Sequence, residues 1–181
     1  MIKDLIYGWG NEKWSALEEY LRACVEHASA TRGPILECGS GLSTIMIGVI
    51  AQRRGIAHWA LEHDPEWAAR VSRILRRCGS SSRLHTAPLR DHGDFCWYDP
   101  PLASMPRDLS LVICDGPPGS TKGGRHGLVP VMRERLSPNC VVLLDDAGRQ
   151  GEFEIAKRWT ATLGATLQMQ GTEKPYVRIS L

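Results

Sequence analysis

Residues 35–44, Ile-Leu-Glu-Cys-Gly-Ser-Gly-Leu-Ser-Thr, constrain the chain more than any other stretch. A short apolar run after Gly33-Pro34 enters a glycine-rich turn at 39–41 and passes directly into the apolar helical pattern Ile45 to Ile50. A strand, a tight turn and a helix in that order aim backbone N–H groups at whatever lies before the helix N-terminus. The two glycines let the backbone approach that ligand closely. Three familiar versions of this loop are disfavoured. The dinucleotide fingerprint wants a third glycine or alanine where the chain has Thr44. The phosphate-loop pattern GxxxxGK[ST] is absent, because GSTK at 119–122 has the wrong spacing. The nucleophile elbow GxSxG fails at Cys38. Glu37 would repel a phosphate but suits a cationic or hydroxylated ligand.

The 181 residues are enough for one domain with a sizeable core, and the 43% hydrophobic and 23% charged residues predict a globular one. A net charge of +2 gives no strong pull toward nucleic acid or membrane, so neither is expected as a partner. The six cysteines form no CxxC pair, which argues against a cysteine zinc site, and their places in apolar runs suit a reducing cytoplasm. Met1-Ile2-Lys3-Asp4 does not read as a signal peptide, and no apolar run reaches membrane-spanning length.

Along the chain, residues 1–10 read as a short aromatic arm. Asn11 reads as the N-cap of a helix reaching about Ala30, with Trp14, Leu17, Leu21, Cys24, Val25 and Ala28 as its stripe. Residues 1–30 therefore form an N-terminal arm and helix, and Tyr7, Trp9 and Trp14 are candidates for a lid. Strands are expected at 35–38, 57–62, 83–87, 109–114 and 140–144, with a closing hairpin at 165–170 and 176–181. Helices are expected from 45, from Asp64-Pro65 to about Arg77, over 128–136, and through Phe153 to Leu163. Residues 90–107 read as irregular and 137–139 as a turn. The alternation predicts an α/β, doubly wound, Rossmann-like, seven-stranded mixed sheet with an antiparallel C-terminal hairpin, as one domain over 1–181.

Five signatures fall in order at successive strand ends: ECGSG at 37–41, LEHD at 61–64, APL at 87–89, DGPPG at 115–119 and LLDD at 143–146. From about residue 30 to the end, this series resembles the class I S-adenosylmethionine (SAM) methyltransferases. With GGRHG at 123–127, DDAGR at 145–149 and WGNEKW at 9–14, it looks like a group of small bacterial members. The resemblance implies that Gly39 and Gly41 pass under the methionine part of SAM, with Glu37 near its amino group. It places Ser43 and Thr44 near the carboxylate, Glu62 at the ribose, and His63, Asp64, Ala87 and Leu89 around the adenine. It sets Asp115 beside the sulfonium. The activity it implies is methylation of a small-molecule or saccharide hydroxyl by a cytoplasmic enzyme. An NAD-linked oxidoreductase and a non-catalytic SAM-binding module are the alternatives, and a homodimer is left open.

Asp115, Asp145 and Asp146 end the fourth and fifth strands, so three carboxylates converge if those strands are neighbours. Two like charges about 4 Å apart cost roughly 4 kcal/mol at an effective dielectric near 20. A proton, an arginine such as Arg149, or a divalent cation such as magnesium must offset that. The metal option is similar to the cation-dependent, catechol-type O-methyltransferases, although Asp146 stands in place of their amide and no lysine follows Asp115 closely. The simpler option has Asp145 or Asp146 cap the last helix and pair with Arg149. Asp115 and Asp145 are candidate catalytic groups. His126 is the candidate base, Lys122 the second choice, and His85 and His92 rank lower.

Overall fold

The computed structural model describes residues 2–10 and 16–181. Helix α1 spans Ile2–Trp9 and α2 spans Glu18–Ala30. Then follow β1 (Ile35–Cys38), α3 (Leu42–Arg54), β2 (His58–Glu62), α4 (Pro65–Arg77), β3 (Arg83–Thr86), β4 (Leu89–Asp91), β5 (Cys96–Tyr98) and β6 (Leu109–Cys114). The chain ends with α5 (Leu128–Met132), β7 (Leu136–Leu144), α6 (Gln150–Leu163), β8 (Thr166–Gln170) and β9 (Tyr176–Ser180).

Seven strands form one sheet in the order β3-β2-β1-β6-β7-β9-β8. Its ladders are parallel except where β9 pairs antiparallel with β7 and β8. The expected doubly wound sheet and closing hairpin are present. The central strands β1 and β2 are buried along their whole length, as parallel strands covered on both faces must be. Successive residues of β6 serve different layers. Leu111 and Ile113 join Ile35, Ile47, Tyr20 and Leu21 on one face, while Val112 and Cys114 join Leu36, Val142, Leu128 and Trp159 on the other.

Local chemistry explains where the elements begin and end. Asp64 caps α4 by accepting from the amides of Glu66 (2.9 Å) and Trp67 (3.0 Å), with Pro65 in the first turn. Gly55 closes α3 in the left-handed region, at φ 64°.

Four expectations need correction. The first residues form a helix, α1, rather than a loose arm, because Ile2, Ile6 and Trp9 pack on the core. α2 starts at Glu18 behind an extended Leu17, so the helix does not run through residues 16–17; Asn11 and Trp14 lie outside the described residues. The stretch expected to be irregular contains the β4–β5 hairpin. Asp91 accepts from the Gly93 amide at 2.8 Å and turns the chain, and the prolines fall beyond it. α5 stops at Met132 in a 3₁₀ turn, and the predicted turn at 137–139 belongs to β7. There Leu109 pairs with Leu136 and Leu111 already pairs with Val141, so the intervening residues bulge from the ladder.

Candidate functional site at the strand ends

The C-terminal ends of β1, β2, β6 and β7 open on a hollow of about 390 Å³, the position where open α/β sheets bind ligands. Glu37, Gly39, Gly41, Ser43, Glu62 and Asp115 all border it. The glycine turn forms its floor. Gly39 has φ 89°, and a Cβ there would stand 3.2 Å from the Gly116 amide nitrogen, so the β1 and β6 loops touch only because both residues lack side chains.

Each acid is held differently. Glu37 is 1% exposed; the Ser43 hydroxyl donates to its Oε1, and Nε2 of the buried His58 lies 3.5 Å from its Oε2. Glu62 accepts from the Ser40 amide (3.1 Å) and hydroxyl (2.9 Å) on Oε2, and from the amides of His63 (2.8 Å) and Asp64 (3.0 Å) on Oε1. A ligand hydroxyl reaching Glu62 would therefore exchange with the Ser40 hydroxyl, the one rotatable donor of that set.

Thr44 is buried and turned from the hollow; its hydroxyl accepts from the Gly41 amide at 2.8 Å and caps α3. His63 places Nδ1 2.9 Å from Glu62 Oε1, and Asp64 is spent on its cap. Ala87 lies in the core with Leu89 packed against it. None of these five borders the hollow. Residues outside the expected set do. Trp67 donates from Nε1 to the Ser40 carbonyl at 2.7 Å; Trp9, one of the lid candidates, also borders the hollow and meets Trp67 edge-on at 6.0 Å under the guanidinium of Arg70. Of the proposed lid residues, Tyr7 is 79% exposed. Tyr98 is fully buried, and its hydroxyl has no hydrogen-bond partner among the described residues. It stands over Gly116, where any Cβ would collide with it.

The three aspartates do converge: one oxygen from each of Asp115, Asp145 and Asp146 lies within 4.8 Å of the others. The chain supplies its own countercharges. Arg125, 2% exposed, donates to the Asp145 carbonyl (2.7 Å), the Asp115 carboxylate (3.0 Å) and Asp146 Oδ2 (2.7 Å). Lys174 Nζ lies 2.7 Å from Asp145 Oδ2 and 3.0 Å from Asp146 Oδ1, and Arg149 lies 3.1 Å from Asp146 Oδ2. Burial first, and then the Asp145 charge, push Asp115 up to about 7. Burial would raise Asp146 too, but Arg125 and Lys174 outweigh it and hold that carboxyl below its usual range. Neither Asp145 nor Asp146 caps α6, whose N-cap is Arg149.

This donor set does not fit a divalent metal ion. The Lys174 ammonium already bridges Asp145 Oδ2 and Asp146 Oδ1, and Arg125 reaches Asp115 and Asp146. At an effective dielectric near 20, a doubly charged ion about 4 Å from a guanidinium costs roughly 8 kcal/mol.

His126, the expected base, does not border the hollow. Its ring meets Phe95 edge-on at 5.4 Å, its carbonyl accepts from Trp159, and burial and Arg158 lower its pKa. Arg125, which follows Gly123 and Gly124 at positive φ, borders the hollow instead. Lys122 is exposed and paired with Asp91 at 3.5 Å, and His92 stacks on Phe95. The basic glycine-rich stretch was a visible signal, but the residue that enters was not the one expected from it. Lys174 left no signal beyond its place in a turn.

No protein-family model and no curated protein significantly matches the sequence. Solved structures match the fold closely. Precorrin-6y C5,15-methyltransferase from Geobacter metallireducens is 12% identical at a TM-score of 0.66, covering 94% of this chain and 95% of that one. An O-methyltransferase from Bacillus cereus, in complex with S-adenosylhomocysteine (SAH), is 13% identical at 0.62, covering 99% and 90%. An RNA methyltransferase from Salinibacter ruber, also with SAH, is 15% identical at 0.57, covering 92% of each. The chain has the Rossmann-like fold these methyltransferases share.

Proposed function

We propose that the chain is a SAM-dependent methyltransferase acting on a hydroxyl oxygen of a small molecule or saccharide. One observation carries this reading: Glu37, Glu62 and Asp115, from three neighbouring strands, border one hollow with the glycine floor between them. A ligand with a cationic amino group, a cationic sulfur and a ribose matches three such acids, whereas a diphosphate would meet Glu37. The α3 N-terminus, with Ser43, faces the hollow and suits a carboxylate. The volume falls within the ~300–1,000 Å³ usual for small-molecule sites.

Bound there, SAM would supply a methyl group on a positively charged sulfur for an acceptor oxygen, and the C–S electron pair would stay with the sulfur. The chain's work is chiefly positioning, which can lower such a barrier by up to about 7–11 kcal/mol. Glu37 and Glu62 hold the two ends of the ligand. Asp115, 30% exposed and raised to about 7, is the carboxylate able to take the acceptor proton. Asp145 has no exposed side-chain surface and positions Lys174 rather than touching an acceptor. His126 is not used.

Calorimetry with SAH tests the binding half, and SAH release across a panel of hydroxyl acceptors tests the transfer half. Micromolar binding with release on a hydroxylated small molecule is expected. No heat at millimolar SAH overturns the reading, and release only with RNA overturns the acceptor class.

A further inference from the structure

Buried acids must be paired, protonated or bound to a cation. Here the balance comes from a turn remote in sequence. β9 enters antiparallel to β7, with Val177 opposite Leu144, so the residues just before β9 lie just beyond the end of β7. That turn is pinned. Glu19 of α2 accepts from the Thr172 amide (2.7 Å), the Thr172 hydroxyl (2.8 Å) and the Glu173 amide (3.2 Å). Pro175 packs so closely that a Cβ on Gly148 would lie 3.2 Å from it. Lys174 is thus delivered to Asp145 and Asp146 by a braced segment and does not reach them from a free surface.

We propose that the Lys174 ammonium is the resident cation of the Asp115–Asp145–Asp146 cluster, standing where a divalent ion would otherwise bind and making the site independent of metal. Two of its three N–H groups face Asp145 Oδ2 and Asp146 Oδ1, and the third has no partner among the described residues although Lys174 borders the hollow. Asp145 Oδ1 is fully buried with no hydrogen-bond partner among the described residues, so the cluster keeps acceptor capacity that the ammonium does not saturate. Burial alone would discharge the amine, but the carboxylates reverse that and raise it above its usual range, so the charge persists at neutral pH. Lys174 acts as a positioning residue: it holds the Asp145 and Asp146 carboxyl groups side by side and leaves one donor toward the acceptor end. The mechanistic use of that donor rests on the methyltransferase reading; the identity of the resident cation does not.

The test is Mn²⁺ binding, followed by electron paramagnetic resonance, to the full chain and to four variants. The wild type and Lys174→Arg, which keep the cation, are expected to bind Mn²⁺ no better than exposed carboxylates do. Lys174→Met is expected to bind at least about 10-fold more tightly, and Lys174→Met with Asp145→Asn to lose that gain. Cooperative thermal unfolding of each variant shows that the fold is intact. Tight Mn²⁺ binding by the wild type that Asp145→Asn abolishes would overturn the proposal, as would a folded Lys174→Met variant that gains nothing. SAH calorimetry on the wild type reads the methyltransferase assignment separately, so either idea can fail alone.

Discussion

Nε2 of His58 lies 3.5 Å from Oε2 of Glu37, with both side chains sealed from solvent. That is ion-pair range but longer than a hydrogen bond. On its far side His58 shares a 2.8 Å hydrogen bond between Nδ1 and the Ser82 hydroxyl. Only a ring with hydrogen on Nε2 avoids setting a lone pair against the carboxylate. His58→Ala leaves a buried carboxylate oxygen facing nothing, so unfolding stability should fall by about 1–3 kcal/mol. Urea denaturation reads this, and Ser82→Ala should cost less. SAH affinity should fall in His58→Ala as well, because Glu37 loses its backing.

Glu62 serves two purposes, gathering the Ser40 loop and, on the proposed reading, accepting from the ribose. Glu62→Ala removes charge-assisted hydrogen bonds worth about 1.5–3 kcal/mol each, so SAH affinity should drop by more than tenfold. Calorimetry checks this, with Ser40→Ala as the control. That variant gives up a competing hydroxyl and should bind within a few-fold of the wild type.

Asp115 makes ligand binding depend on pH. Its folded pKa, about 7, is raised above the ordinary 3.8 by burial and by Asp145. The folded state therefore holds a proton that the unfolded state releases between about pH 4 and 7. Asp115 contributes stability at low pH that is lost as pH rises through this window. A cationic ligand favours the ionised form, so SAM affinity should rise through pH 7. Calorimetry at pH 6 in buffers of different ionisation enthalpy should then detect proton release. Asp115→Asn should flatten both profiles.

Gly39 sits at φ 89° against the Gly116 backbone. Gly39→Ala adds a left-handed penalty of about 1–2 kcal/mol, and the Cβ pushes the β1 and β6 loops apart. The melting temperature should fall, and SAH binding should fall further than stability alone explains. Gly41→Ala, where a Cβ meets open space, should leave stability nearly unchanged.

Much of this was legible along the chain because the relevant physics is local. Asp64-Pro65 begins α4 because a short carboxylate and a fixed φ satisfy the first turn whatever surrounds it. Ile35 to Cys38, running into Gly39, reads as a buried strand and turn because neither face has a polar residue to solvate except Glu37. The acids at the ends of β1, β2, β6 and β7 could be placed together because parallel strands all end on the same side of the sheet. Other features were hidden because they depend on partners far away. α1 is helical because Ile2, Ile6 and Trp9 find a core to cover. Which of Arg125 and His126 faces the hollow depends on the loop's backbone path, which no hydrophobic period reveals.

The order of apolar runs, glycine turns and terminal acids was therefore enough to determine a doubly wound sheet with an acidic, glycine-floored hollow, since each piece follows from backbone sterics and burial over a few residues. Which charges answer those acids was decided only by tertiary structure. Lys174 reaches Asp145 across 29 residues through the antiparallel pairing of β9 on β7, and Coulomb energy depends on distance in space, which the linear order does not contain.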